Sequence, residues 1–126
     1  MGLSFFDNMY FNDLQVLIVY LGNYAGKPSE KGLSLMYQVL VHLGVEPSWM
    51  QFLVEKVKLG GAMVFKFAPH SLLPHQKKYL MAFLVVLYSI DSEIINKDKK
   101  LFLEALSAMF DVPIMNLQEA WNILNI

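Results

Sequence analysis

The feature that most constrains this chain is a run of 12 residues, Tyr79 to Ile90, that is almost entirely apolar. The run lacks the polar alternation of a half-buried strand, and it is shorter than the roughly 20 residues needed to cross a bilayer. Apolar residues on every face indicate a helix that is buried all round. We therefore expect a helix over His75–Ile90 at the centre of a bundle, and no transmembrane segment.

Length and composition indicate one domain with a large core. The 126 residues fit a single domain, 1–126, in which 56% of residues are hydrophobic and 17% are charged. Typical soluble domains have about 25% charged residues. The chain has no cysteine, which excludes disulfide bonds, thiolate-ligated zinc, iron–sulfur clusters and a cysteine nucleophile.

The charge distribution argues against several classes of partner. All ten basic residues are lysine, and the formal net charge is −1. Because base reading and phosphate clamping favour arginine and a basic stripe, we do not expect nucleic acid to be a partner. Residues 1–11 lack the basic start of a signal peptide, and Phe6 occupies the place where a myristoylation signal has Ser or Thr. The expected compartment is the cytoplasm.

Apolar periodicity predicts two helical segments before the centre of the chain. A stripe from Phe6 to Leu21 predicts one long helix, or two short ones broken near Asn12. A second helix is predicted from Glu30 to Leu43, with Gly44 just past its end. The residues expected to face the core from this second helix are Leu33, Met36, Tyr37, Leu40 and Leu43.

A third, short helix is predicted after Pro47, where Ser48 and Gln51 have the spacing of a capping box. Residues 59–73 are expected to form an irregular connector. A further helix is predicted from Lys97 to Phe110. Its expected core-facing residues are Leu101, Phe102, Ala105, Leu106, Met109 and Phe110.

The chain is predicted to end as a helix that begins at a capping box of Asn116 and Glu119. Its expected apolar side is formed by Leu117, Ala120, Trp121 and Leu124. With an offset of 66 to 68 residues, the same order of helices, loops and prolines recurs in residues 12–58 and 74–126. The sequence therefore predicts an all-α bundle of about six or seven helices with a pseudo-twofold repeat.

The stretch Asp91-Ser92-Glu93-Ile94-Ile95-Asn96-Lys97-Asp98 resembles the acidic inter-helix loop of the tellurite-resistance TerB-like family. The resemblance covers roughly residues 72 to 112, and residues 25–31 are similar to the family's other copy of the loop. It implies a helical domain with repeated acidic loops, a link to stress or tellurite response, and a cation site built from carboxylates of both loops.

This sequence departs from the family pattern in the first loop. Ala25 stands where the family has an aspartate, and Gly32 where it has an acidic helix residue. The remaining predicted metal ligands are Asp91, Glu93 and Asp98, which offer carboxylate oxygens to calcium or magnesium. The alternative is structural: Asp91 ends a helix, and Asp98 is a favourable anion near a helix N-terminus.

No nucleophile paired with a base and no glycine-rich phosphate loop is recognisable, so we do not expect an enzyme. The preferred function is a non-enzymatic protein-interaction module, linked by the resemblance to stress or tellurite response, with a protein partner or a second copy of the chain. The alternatives are a divalent-cation-responsive module using loop 91–98 and a binder of a small apolar ligand between helices. The side chains expected to remain exposed for a partner are Phe5, Phe11, Val64, Phe65 and Phe67.

Overall fold

The computed structural model describes residues 13–24, 28–55, 72–91 and 97–126 of the chain. Across these ranges the regular structure is entirely helical, which confirms the predicted all-α bundle. None of the helices in these ranges is both long and apolar enough to cross a membrane. In chain order the elements are α1 (Asp13–Tyr24), α2 (Glu30–His42), a 3₁₀ turn (Pro47–Trp49) that leads into α3 (described over residues 50–55), α4 (Pro74–Asp91), α5 (Lys97–Phe110) and α6 (Leu117–Leu124).

Helix α4 lies at the centre of the bundle and packs against α1, α2, α5 and α6. Every residue from Leu80 to Tyr88 is at most 4% exposed, which confirms the predicted helix buried all round. Burial of a large apolar side chain contributes roughly 1.5–3 kcal/mol relative to exposure. Packing against α4 is therefore the main source of stability for the positions of α1, α2, α5 and α6.

The start of α4 is fixed without a Ser, Thr, Asp or Asn cap. The Leu73 N–H donates to Oε1 of Gln76 at 2.9 Å, and the Leu73 carbonyl accepts from the Lys77 N–H at 3.0 Å. Pro74 occupies the first helical position, where its missing N–H costs nothing. These contacts hold the first turn of the central helix.

The helices form two antiparallel hairpins. Nε2 of Gln15 donates to the Leu43 carbonyl at 2.9 Å, so the start of α1 lies beside the end of α2. In the second hairpin, Nζ of Lys77 lies 6.0 Å from the centre of the Phe110 ring. Nζ of Lys99 lies 5.1 Å from the centre of the Tyr88 ring, so α5 runs back along α4.

The predicted start of α2 at Glu30 is confirmed, the helix ends one residue earlier than predicted, at His42, and the cause of both ends is local. Oγ of Ser29 accepts from the Gly32 N–H at 3.1 Å and caps the first turn. At the other end Gly44 has a φ of +94°. The Val45 N–H donates to the Leu40 carbonyl at 2.9 Å, which is the long hydrogen bond of a Schellman motif.

The same helix ending recurs 67 positions further along the chain. Asp111 has a φ of 55°, and the Val112 N–H donates to the Ser107 carbonyl at 3.1 Å. The next helix has the predicted cap, because the Glu119 N–H donates to Oδ1 of Asn116 at 2.8 Å. Helix order and end structure thus repeat. They do not define a symmetry axis, so the pseudo-twofold relation remains a prediction.

The predicted core-facing side of α2 is wrong in part. Leu33 and Tyr37 are exposed, whereas Leu35 and Val39 are buried. Seven of the 13 residues of α2 are apolar, and they lie around most of the circumference of the helix, so the period alone could not choose a side. Gly32 is buried on the side that faces the core. A count of apolar residues overlooks this position, because glycine has no side chain to count.

The predicted faces of α5 and α6 need similar correction. In α5, Leu103 is buried and Leu106 and Phe110 are correctly assigned. In α6, Ala120 and Leu124 are buried as predicted. The side chains predicted to face inward that are instead exposed are Leu101, Ala105, Met109, Leu117 and Trp121.

The predicted capping box at Ser48 is also wrong. Glu46 is the N-cap residue of the 3₁₀ turn and makes no side-chain capping bond, and Pro47 takes the first position. The fixed φ of proline begins the turn there, so Ser48 already lies inside it. Of the predicted connector 59–73, Leu72 is buried and Leu73 is exposed, and its other residues lie outside the described ranges.

Candidate interaction surface

The outward side of α2 carries a row of apolar side chains. Leu33, Tyr37 and Val41 are spaced four residues apart, which places them in one line along the helix. They are 37%, 51% and 49% exposed, respectively. Helix α2 therefore packs its inner side on α4 and leaves a second apolar side facing solvent.

This outward side has no formal charge beyond its first turn. Residues 33–45 contain no Asp, Glu, Lys or Arg. The row beside the apolar one is Ser34, Gln38 and His42, all exposed. A solvent-facing helix side normally carries charges, and α5 does so. Its exposed charged residues are Lys97, Asp98, Lys100 and Glu104.

All members of these two rows except Leu33 border an open groove of about 440 Å³. Its walls offer apolar contact together with hydroxyl, amide and imidazole groups that can form hydrogen bonds at the edges. Such a surface recognises an apolar segment by contact and orients it by a few polar groups. The residues that line the groove are Ser34, Tyr37, Gln38, Val41, His42 and Ile126.

The base of this surface is held by a ring stack between α2 and α4. The His42 and Tyr79 rings are nearly parallel, with 6.4 Å between their centres and an angle of 7° between their planes. The Tyr79 hydroxyl oxygen is buried and has no hydrogen-bond partner among the residues described. Burial raises the pKa of Tyr79 above its usual value, since the phenolate form loses hydration.

The predicted metal ligands are only partly within the described structure. Asp91 is the last residue of α4. Asp98 lies exposed in the first turn of α5, where a negative charge is favourable next to the helix N-terminus. Glu93 lies outside the described ranges. No group of three His, Cys, Asp or Glu side chains suited to a metal ion occurs in the described part, and the cation site remains a prediction.

The side chains predicted to face a partner also lie outside the described ranges. They are Phe5, Phe11, Val64, Phe65 and Phe67. Sequence reasoning missed the α2 surface because it assigned Leu33 and Tyr37 to the core. The sequence did contain an indication of this surface. A helix with many apolar residues and no charged residue after its first turn lacks the charged side that a solvent-exposed helix normally has.

No protein-family model, curated protein or solved structure matches this chain. The resemblance to the TerB-like family therefore rests on the sequence patterns of residues 72–112 and 25–31 and remains a prediction.

Proposed function

We propose that this protein is a non-enzymatic protein-interaction module that binds its partner through the outward side of α2. The observation that supports this is the uncharged row of Leu33, Tyr37 and Val41, exposed along a helix whose other side is in the core. Exposed apolar side chains that line up beside a groove mark contact surfaces more often than isolated ones do.

The form of the surface favours a helical or extended apolar segment as the bound element. An apolar row along one helix and an adjoining groove is the arrangement used for helix-in-groove recognition. Tyr37 stands at the middle of the row, and a half-exposed tyrosine contributes a large contact area at a low cost in side-chain entropy. We expect Tyr37 to contribute more to partner binding than any other residue of α2.

Photocrosslinking tests this proposal at single-residue resolution. Benzoylphenylalanine placed at Tyr37 in the cell that naturally makes the protein should yield covalent adducts on irradiation. Leu101 is the matched control site, because it is 52% exposed against 51% for Tyr37 and lies on α5. A second change, Val41→Lys, should remove the adducts formed at position 37, since it places a charge in the contact. Equal adducts at both sites, or none at position 37, would refute the proposal.

A small apolar ligand is the second candidate, and the groove volume favours it. About 440 Å³ lies within the range of about 300–1,000 Å³ that is typical of small-molecule sites. Native mass spectrometry of protein purified without detergent should then show a bound species that organic solvent releases and that Val41→Lys prevents from binding. A single species at the mass of the chain would count against this candidate.

A further inference from the structure

Resting on the proposed function, we propose that the partner seated on α2 is a second copy of this chain. The two α2 helices would cross antiparallel on a twofold axis that passes beside Tyr37. Such a contact is isologous, meaning that the same patch of both copies forms both sides of the interface.

Charge is the first reason to favour a second copy. In an isologous contact each charged group lies close to its own symmetry mate, and like charges that face each other destabilise the contact. The α2 surface avoids this cost because residues 33–45 contain no Asp, Glu, Lys or Arg. The exposed side of α5 would not avoid it, because Lys97, Lys100 and Glu104 are exposed there and would lie near their own symmetry mates.

The apolar row is also symmetric about its centre. Leu33 precedes Tyr37 by four residues and Val41 follows it by four, so each lies about 6 Å from Tyr37 along the helix axis. An antiparallel crossing at Tyr37 therefore sets Leu33 opposite Val41 of the second copy. The rows at intervals of four interdigitate in this way in the commonest class of helix packing.

The ends of α2 favour the antiparallel direction over the parallel one. Glu30 lies in the first turn and His42 in the last turn of the helix. An antiparallel pair opposes the two helix dipoles and brings the first turn of one copy, which carries Glu30 and Lys31, beside the histidine-bearing last turn of the other. A parallel pair would instead bring Glu30 and Lys31 next to their own symmetry mates.

The area of the surface sets the expected strength. The apolar side chains of Leu33, Tyr37, Val41 and Ile126 are between 37% and 51% exposed, which amounts to a patch on the order of a few hundred Å². Two such patches bury less than the roughly 1,200 Å² at which stable complexes begin. The association should therefore be weak and reversible, with a dissociation constant of about 10 µM or weaker.

Sedimentation velocity of the full chain from about 5 µM to about 1 mM tests the association. The weight-average sedimentation coefficient should rise from the monomer value toward the dimer value. Tyr37→Glu should keep the protein monomeric throughout, and Leu101→Glu, at a site of matched exposure, should associate like the unchanged chain. A chain that stays monomeric at the highest concentration overturns the proposal, as does equal loss of association in both variants.

Cysteine pairing tests the direction of the crossing, because the natural chain has no cysteine. In the antiparallel arrangement, position 33 is next to position 41 of the other copy, while two copies of position 33 are about 12 Å apart along the axis. A disulfide bond needs Cα atoms within about 7 Å. Mild oxidation of mixed Leu33→Cys and Val41→Cys proteins should therefore give mainly the mixed dimer. A predominance of like-with-like dimers overturns the antiparallel crossing.

The outcomes also separate this inference from the proposed function. If position 37 crosslinks to another protein while the purified chain stays monomeric, the second copy is refuted as the partner and the interaction surface stands. If neither crosslinking nor association involves position 37, both proposals fail. If the crosslinked product has twice the mass of the chain and sedimentation shows dimers, both are supported.

Discussion

At the scale of single residues, two polar side chains near α2 differ in how their buried groups are paired. Gln15 is 5% exposed, and its amide donates to the Leu43 carbonyl at 2.9 Å. That carbonyl lies at the end of α2, where helix carbonyls have no partner within the helix. The Tyr79 hydroxyl, in contrast, is buried with no hydrogen-bond partner in the described part. The Gln15 hydrogen bond thus stabilises the hairpin of α1 and α2, whereas the buried Tyr79 hydroxyl lowers the stability of the folded protein.

The variant Tyr79→Phe should be more stable than the natural protein at pH 7, by about 1 kcal/mol or more. A buried hydroxyl without a partner costs roughly 1–3 kcal/mol, and the ring that stacks on His42 is retained. Urea unfolding measures the difference, with Tyr37→Phe as a control at an exposed tyrosine. A loss of more than about 1 kcal/mol in the Tyr79 variant would mean that the hydroxyl has a bonding role.

The same variant should alter the response to high pH. Burial raises the pKa of Tyr79 in the folded protein. Below the unfolded tyrosine pKa of about 10, the hydroxyl is protonated in both states and ionisation of Tyr79 does not lower the free energy of unfolding. As the pH rises from about 10 through the folded pKa, the unfolded state ionises first and the free energy of unfolding falls. Tyr79→Phe should lose less stability than the natural protein between about pH 9 and pH 11. Identical slopes in a series of unfolding measurements would refute this assignment.

At the scale of elements, the ends of α2 and the start of α6 were predictable from the sequence, whereas the core-facing side of α2 was predicted only in part. Ser29 and Gly44 act through contacts with residues next to them in the chain, so their roles follow from local sequence. The side that faces the core depends on distant residues, and the sequence could not distinguish Leu33 from Leu35 because each has an apolar residue four positions later. The α2 surface was missed for this reason, although the absence of charge from residue 33 to residue 45 was already visible.

The two matching helix endings provide a test at this scale. Gly44→Ala should lower the free energy of unfolding by about 1–2 kcal/mol, because its φ of +94° is disfavoured for a residue with a side chain. Asp111→Gly should raise it by up to about 1 kcal/mol, since Asp111 holds a φ of 55° that glycine adopts freely. Thermal and urea unfolding of both single variants measure the effects.

The expected signs in this pair are opposite, and each variant therefore controls for the other. If Asp111→Gly is destabilising, the aspartate side chain contributes more to the helix ending than its backbone strain costs. If Gly44→Ala is neutral, the strain at Gly44 is relieved by movement of the turn. Either result would contradict the view that the two endings are governed by backbone conformation.

At the scale of the whole molecule, we expect α4 to make the bundle one cooperative unit. It is in contact with α1, α2, α5 and α6, so a defect in α4 reaches both hairpins at once. The Phe83 side chain is fully buried and is close enough to meet any side chain added at Gly22 of α1. If residues 1–126 form a single domain as predicted, the bundle should unfold in one transition.

Phe83→Ala should lower the free energy of unfolding by about 3–5 kcal/mol through the cavity it leaves. The midpoint of thermal unfolding should fall by about 10 °C or more, in a single transition. Leu101→Ala, at a residue 52% exposed, should change stability by no more than about 0.5 kcal/mol. Calorimetry and circular dichroism provide the comparison. Two separate transitions in the Phe83 variant would show instead that the hairpins unfold independently.

The central position of α4 also determines when this protein can finish folding. Two of the helices that surround α4 precede it in the chain, and the two others, α5 and α6, are synthesised after it. The most extensive of these contacts is the one with α6, the last described helix. A nascent chain that has not yet released α6 from the ribosome therefore exposes one side of its most apolar segment, and exposed apolar surface of this kind recruits chaperones and promotes aggregation. Truncated or stalled chains of this protein should be chaperone substrates rather than smaller stable domains.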